Sequence, residues 1–311
     1  MLNKKVCLIN PPVQIKQEKY EEWSNNSIFN FQYLGIAYLE AILKKESIEV
    51  EVFDCPPNNI SIRDLKERLL DNKYNYIGIS VFYYNLFNFE RLNNFIKQYL
   101  PDSFVFIGGY AATMDYENIL LLHRNIKCVL LGEGEYTILE LVQRLQENDN
   151  WKNTPGIAYL YNHKIYKNNI NHIVNLNTLP EIIHKKYRKC QTIAMLTSRG
   201  CYGSCSFCSE KRFLSFSDAN KMRFRTIESV LNEIKHISSR IHPRYISFCD
   251  SDFMPSSKIR KEWILQFLLL LKEQKFDIEF NALLRANDIL YYEDLLQLFK
   301  EVILSNFISI F

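Results

Sequence analysis

Three cysteines fall within eight residues, in the run Ser198-Arg199-Gly200-Cys201-Tyr202-Gly203-Ser204-Cys205-Ser206-Phe207-Cys208. Thiolate sulfur is the usual ligand of iron-sulfur clusters, and a glycine-containing loop can wrap around a cubane. Cys201, Cys205 and Cys208 can therefore hold three irons of a [4Fe-4S] cluster, leaving the fourth without a thiolate from this loop. Electron-transfer ferredoxins run C-x2-C-x2-C with a fourth cysteine, whereas this loop is C-x3-C-x2-C with none nearby. A structural zinc site needs a fourth ligand, normally from a second paired knuckle, and the sequence shows no such knuckle. Cys190, Cys249 or a histidine remain available to complete a set. An open iron can bind the amine and carboxylate of S-adenosylmethionine (SAM) and pass one electron into its sulfonium, which yields a deoxyadenosyl radical.

Loops of this kind need strands to root them. A strand at Ile193 to Thr197 feeds the cysteines, and β/α alternation continues beyond them. Thr226 to Ser239 reads as a helix capped by Thr226, Arg244 to Cys249 as a strand, Ser257 to Lys275 as a helix and Asp277 to Leu283 as a strand. Asn287 or Asp288 is expected to cap a further helix running to Lys300. The apolar run Val302 to Phe311 reads as another strand.

The first half has the same alternation. Strands are expected at Lys5 to Asn10, Val50 to Asp54, Tyr76 to Val81, Phe104 to Gly109 and Cys128 to Gly132. The helices between them are Gln32 to Lys45, Ile62 to Leu70, Phe89 to Leu100 (closed by Pro101), Asp115 to Leu122 and Tyr136 to Gln146. Five such units predict an α/β fold with a doubly wound parallel sheet, flavodoxin-like or Rossmann-like, whose ligands sit beyond the carboxyl ends of its strands. The residues there are Asn10, Ser80, Gly108, Gly109, Tyr110, Gly132, Glu133, Gly134 and Glu135. Glycine at a strand end also serves a tight turn with no ligand at all. No G-x-G-x-x-G follows the first strand, which argues against a nicotinamide-binding domain. From Trp151 the helical period disappears, and Thr154 to Leu160 with Lys164 to Ile173 reads as a hairpin. The expected domains are thus 1–150, a connector over 151–190, and 191–311.

The cysteine loop, with aromatic Phe207 before its last cysteine, resembles the signature of the radical SAM superfamily. The whole chain is similar to those members that carry an N-terminal cobalamin-binding domain: Gly108-Gly109 follows strand four, Gly132-Glu133-Gly134-Glu135 follows strand five, and Leu176-Asn177-Thr178-Leu179-Pro180 ends the connector. The resemblance implies a partial (β/α) barrel in the second half, with active residues at the carboxyl ends of its strands. It implies that Asp250 takes the acidic position after the second barrel strand and that Arg285 contacts SAM. The implied cofactors are a [4Fe-4S] cluster, SAM and cobalamin, the last held without a protein histidine, since Asn10-Pro11-Pro12-Val13 stands where other cobalamin domains have D-x-H-x-x-G. The family barrel has six strands, so about four of six β/α units are expected here, and the Gly-x-Glu-Ser-like segment usual after the fourth is missing. A truncated member is expected on that ground.

A formal net charge of +3 over 311 residues, with charges interleaved, gives no footprint for nucleic acid. No apolar run approaches the ~20 residues that span a bilayer, and the N-terminus lacks a secretory signal, so a cytoplasmic protein without a membrane partner is expected. Cys7, Cys55, Cys128, Cys190 and Cys249 are scattered singly and read as small buried hydrophobes. His184 to Lys189 reads as a solvated basic surface, and His163, His172 and His184 lack metal-ligand spacing. The function expected is radical chemistry on a small-molecule or peptide substrate, with a flavodoxin or ferredoxin as reductant and methylcobalamin as methyl donor if the first domain is loaded. The alternatives are radical cyclisation or rearrangement without cobalamin, and an inactive cluster-binding fragment.

Overall fold

The computed structural model describes residues 5–13, 31–147, 150–171, 173–187, 191–217, 222–254, 257–302 and the backbone of 308–310. The chain forms two compact units, Met1–Val174 with Leu179–Ile183 and Arg212–Ala219, and Asn175–Thr178 with His184–Lys211 and Asn220–Phe311.

In the first unit β1 (Val6–Asn10), β2 (Val50–Asp54), β3 (Tyr76–Ser80), β4 (Phe104–Gly108) and β5 (Ile126–Leu130) lie in the order β2-β1-β3-β4-β5, all parallel. All five residues of β1 are buried, as a strand covered on both faces requires. Because side chains alternate across a sheet, Cys7, Ile9, Ile77, Ile79, Val105 and Ile107 enter one core, while Val6, Leu8, Tyr76, Phe106 and Cys128 enter another. The first core takes Leu65 and Leu69 of α3 (Ile62–Asp71) and Phe89, Leu92 and Ile96 of α4 (Leu86–Tyr99). The second takes Ile36 and Leu43 of α1 (Leu34–Lys45) and Ile138 and Leu141 of α7 (Glu135–Gln146). A short α2 (Cys55–Asn58) follows β2. The doubly wound sheet expected from the alternation is therefore present, and its strand order reverses between β1 and β3. The expected hairpin is β6 (Ile157–Tyr161) with β7 (Lys164–Lys167), and β6 pairs antiparallel with β5.

The helix expected over Asp115 to Leu122 is α6 (Tyr116–Leu122), and a further helix that was not expected, α5 (Tyr110–Met114), precedes it. Gly109, at φ +97, lets α5 begin at once after β4, and Ala111, Ala112 and Thr113 are all buried, so no polar face marks the helix in sequence.

In the second unit β8 (Thr192–Met195), β11 (Tyr245–Phe248), β12 (Glu279–Leu284) and β13 (Ile308–Ile310) form a parallel sheet in chain order. Consecutive parallel strands joined by helices are how a (β/α) barrel begins. A two-stranded antiparallel ribbon of β9 (Ser198–Arg199) and β10 (Arg223–Phe224) brackets the cysteine loop in sequence, and α8 (Glu210–Ser215), whose residues from Arg212 on belong to the first unit, follows that loop. Ile193, Met195, Ile246, Phe248, Phe280 and Leu284 pack against Val230 and Ile234 of α9 (Ile227–Ile241) and Ile264, Phe267 and Leu268 of α10 (Lys258–Gln274). Thr226 caps α9, its side chain accepting from the Ser229 amide. The single helix expected to run to Lys300 is two, α11 (Ala286–Tyr291) and α12 (Glu293–Val302), and its cap is Arg285 instead of Asn287 or Asp288.

Gly109→Ala should lower stability by about 1–3 kcal/mol, because a Cβ at this positive φ would stand 2.8 Å from the Val81 carbonyl oxygen. Urea unfolding of the variant against the parent checks it.

Candidate functional site

At the carboxyl ends of the first sheet, Asn10 closes β1 and Ser80 closes β3, on the two sides of the point where strand order reverses. Asn10 is buried; its Nδ2 donates to Asp54 Oδ1 at 2.8 Å, and its Oδ1 has no hydrogen-bond partner. The other Asp54 oxygen accepts from the Tyr33 amide at 2.9 Å. Asn85 donates to the Ser80 carbonyl at 3.1 Å and Asn88 to that of Pro12 at 2.9 Å, fixing the two loops that flank the reversal. Gly108, Gly109 and Tyr110 carry the chain from β4 into α5, and the Ala111 amide donates to the Val81 carbonyl at 3.1 Å. Beyond β5, the Gly132 amide donates to Thr113 Oγ1 at 3.2 Å, Glu133 and Glu135 are buried, and Gly134 caps α7. Every residue singled out in this half therefore lies on one edge of the sheet.

Sequence reasoning singled out Tyr110 but missed the other aromatic side chains at that edge. Phe82 stacks on Tyr84 at 5.0 Å and on Tyr110 at 6.1 Å, meets Tyr33 edge-on at 5.2 Å, and Phe213 stacks on Tyr110 at 4.0 Å. The signal was the Phe82-Tyr83-Tyr84 run directly after a strand end. Flat apolar surface and a buried acceptor without a donor at the reversal point, Asn10 Oδ1, suit a large cofactor with amide groups at its rim, such as a corrinoid.

In the second unit the cysteine loop leaves the carboxyl end of β8. Its root is fixed by Asp250, at the end of β11, whose Oδ1 accepts from the Thr197 amide at 2.7 Å. Asp250 Oδ2 accepts from the Thr197 hydroxyl, from Ser198 Oγ at 2.6 Å and from Arg260 Nη2 at 3.3 Å. Asp250 and Arg260 have no exposed side-chain surface. The guanidinium lies over Trp263 at 4.3 Å, Phe253 at 5.3 Å and Phe224 at 5.5 Å, and burial pushes it down to about 10. A second buried group holds the same turn: Arg225 donates through Nη1 to the Leu196 carbonyl at 3.1 Å and pairs with Glu233, which also accepts from His184 Nε2 at 2.6 Å. Burial pushes Glu233 up, but the His184 hydrogen bond and the Arg225 charge outweigh it and hold its carboxyl below the usual range. The expectation of a solvated surface at His184 is thus overturned: its side chain is 5% exposed because Glu233 lies beneath it.

Of the loop itself, Cys201 is half-buried, Cys205 and Cys208 are exposed, and Phe207 is 89% exposed. All three thiols are free. Among the described residues no three His, Cys, Asp or Glu side chains converge on a common point. The donor set nonetheless has the chemistry a cubane needs, three soft sulfurs of which two are open to approach. The Gly203 amide donates to Cys201 Sγ at 3.3 Å. Arg285, at the end of β12, stands with its guanidinium 4.9 Å from the Tyr202 ring centre, beside Cys201. Asp252 is buried and its Oδ2 has no partner; burial, with the Asp288 carboxylate nearby, pushes it up to about 6. The single cysteines Cys7, Cys55 and Cys128 are buried and free, as expected, and burial pushes their thiols well up; Cys249 is pushed up to about 12 in the same way. Cys190 and His172 lie outside the described residues. Among the described residues no helix is long and apolar enough to cross a membrane.

Residues 28–142 match the B12 binding domain family. Over 262 residues the chain is 24% identical to an uncharacterized methyltransferase of Pyrococcus horikoshii, covering 82% of this chain and 55% of that protein. It is 25% identical over 288 residues to the anaerobic magnesium-protoporphyrin IX monomethyl ester cyclase of Rubrivivax gelatinosus, covering 88% and 50%. Among solved structures, the cobalamin-dependent SAM radical enzyme OxsB with aqua-cobalamin and SAM bound superposes with a TM-score of 0.76 at 18% identity, over 97% of this chain and 42% of that one. The radical SAM methyltransferase TsrM from Kitasatospora setae, with cobalamin and a [4Fe-4S] cluster bound, gives 0.74 at 15%, over 97% and 57%. The fold is thereby the one OxsB and TsrM share, as the sequence resemblance implied, with the B12 binding domain match confined to residues 28–142. The chain spans about half the length of the curated relatives it matches.

Asp250→Ala should cost about 3–5 kcal/mol, since it strands Arg260 as a buried charge, and the urea midpoint reads it. Asp252 carries a pH-dependent cost to stability. Its folded-state pKa is raised, so its cost to stability is absent below the ordinary carboxylate range, grows as pH rises, and is complete above about 6. Asp252→Asn should therefore raise the thermal midpoint of the metal-free chain above that pH and leave it unchanged in acid.

Proposed function

We propose that the chain is a radical SAM enzyme: Cys201, Cys205 and Cys208 ligate a [4Fe-4S] cluster that cleaves SAM reductively to start radical chemistry. The C-x3-C-x2-C loop of free thiols at the carboxyl end of the first strand of a parallel sheet carries this reading. In it, Arg285 meets the SAM carboxylate beside Cys201, and Phe207 packs on the cluster side of the loop. Asp250 acts by holding Thr197 and Ser198, the two residues that set where the loop departs. The cluster would supply the electron for SAM, and cobalamin in the first unit a methyl carrier. Asn10, Ser80, Gly108 to Tyr110 and Gly132 to Glu135 form the edge that receives the corrinoid. Methylation of an unactivated carbon in natural-product or cofactor biosynthesis follows, on a small-molecule or peptide substrate, with a flavodoxin or ferredoxin as electron donor. The likeness to magnesium-protoporphyrin cyclases favours a second reading, radical cyclisation or rearrangement.

Anaerobic reconstitution tests the cluster. Roughly four irons and four sulfides per chain are expected, with loss of most of both in Cys201→Ala, Cys205→Ala or Cys208→Ala, and an electron paramagnetic resonance spectrum that shifts when SAM is added. A spectrum indifferent to SAM would instead mark an inactive cluster-binding fragment. Gel filtration after incubation with hydroxocobalamin tests the first unit: corrinoid absorbance should travel with the chain, and its absence would defeat the methyl-transfer reading.

A further inference from the structure

One limb of the cysteine loop is anchored although the other is open. Tyr202 Oη donates to Asp288 Oδ1 at 2.5 Å, and Arg285 lies over the Tyr202 ring at 4.9 Å. Arg285 Nη1 stands only 3.3 Å from where a side chain at Gly203 would begin, so glycine there is what permits the approach. Asp288 is 4% exposed, and its amide donates to the Arg285 carbonyl at 3.0 Å, closing the turn from β12 into α11. Its second oxygen, Oδ2, has no partner in that buried place, which leaves the Tyr202 hydroxyl as the side-chain donor the carboxylate has. Tyr202 is not a thiolate donor and is 43% exposed, so neither ligation nor core packing accounts for the bond.

We propose that Tyr202 and Asp288 are positioning residues: their hydrogen bond fixes the Tyr202 ring, the ring seats the Arg285 guanidinium, and together they pin the Cys201–Gly203 limb to the end of β12 before any cluster binds. A hydroxyl donating to an ionised acceptor is stronger than a neutral pair, and a cation over an aromatic face adds a further attraction. Arg285 is thereby aimed from the loop side as well as from its own strand. The proposal rests on the cluster-loop reading for its purpose, though the tether is present without the cluster.

Alkylation of Cys201 in the metal-free chain, followed by mass spectrometry of the loop peptide, tests the tether directly. Tyr202→Phe and Asp288→Leu should each speed the reaction by about three- to tenfold. The double variant should react no faster than the quicker single one, because both changes break one contact. Asp288→Asn, whose side-chain carbonyl still accepts from the tyrosine, should fall between Asp288→Leu and the parent. A role for Asp288 in folding alone would move the urea midpoint without reproducing the Tyr202→Phe effect. Tyr202→Phe, on the exposed loop, carries the test if the Asp288 variants do not fold. Unchanged Cys201 reactivity in Tyr202→Phe, or effects that simply add in the double variant, would overturn the tether. In the anaerobically reconstituted chain the same order is expected for the rate at which a chelator strips iron. A parent chain that takes up no iron defeats the cluster reading, while the alkylation result still decides the tether.

Discussion

The second unit depends on one buried carboxylate. Asp250 brings a charge to the end of β11 with no exposed surface, and it is tolerated because four donors converge on it: an amide, two hydroxyls and a guanidinium. A buried ion pair is weak evidence for stability, since desolvating both partners offsets much of their attraction. Its value lies in specificity. Every donor but Arg260 comes from Thr197 or Ser198, so satisfying the charge fixes where the chain leaves β8 and hence where the cysteine loop begins. Replacing these groups by apolar ones of the same volume would keep a core and lose the register of the loop.

A comparable logic runs through the first unit with different chemistry. There the central strands β1, β3 and β4 are apolar and mostly buried on both faces, so the sheet is held largely by burial, which is roughly proportional to area and indifferent to direction. At the carboxyl ends direction enters through Asn10, Asp54, Asn85 and Asn88, each bonding the backbone or side chain of a neighbouring segment. Parallel strands that end together leave such loops on one edge, and the reversal of order between β1 and β3 opens the crevice there. The aromatic rings above it supply area without competing for those hydrogen bonds.

The strands were legible in sequence because a strand covered on both faces, such as β1, is an unbroken apolar run and one covered on a single face, such as β12, alternates, and the helices between them because their apolar positions recur with a helical period. What escaped was whatever depends on partners distant in sequence. Val6–Asn10 can be read from five residues, but Asp288 can be assigned only once Tyr202, 86 positions earlier, is known to reach it. By itself Asp288 reads as a helix cap, and that local preference lost to the tyrosine. His184 likewise sits among lysines and looks solvated, until Glu233 is placed beneath it. The helix α5 was missed for the opposite reason: it is short and buried all round, so it has no period to detect. The three loop cysteines stood out because their spacing alone points to a cluster, while the roles of Asp250 and Arg260 did not, because a charge at a strand end looks the same whether it meets a ligand or another buried charge.

The unequal exposure of the loop cysteines has a physical reason. Three thiolates gathered without metal would repel one another and lose solvation, so a metal-free loop held in its ligating geometry would store that cost in the folded chain. Anchoring the root through Asp250 and one limb through Tyr202, while Cys205 and Cys208 stay exposed, avoids it. For a cluster bound as proposed, the residues left to arrange would then be few, and Cys205 and Cys208 would supply the remaining sulfurs. The hydrogen bonds thus fall where they cost no charge repulsion, at a tyrosine and a threonine, and leave Cys205 and Cys208 exposed.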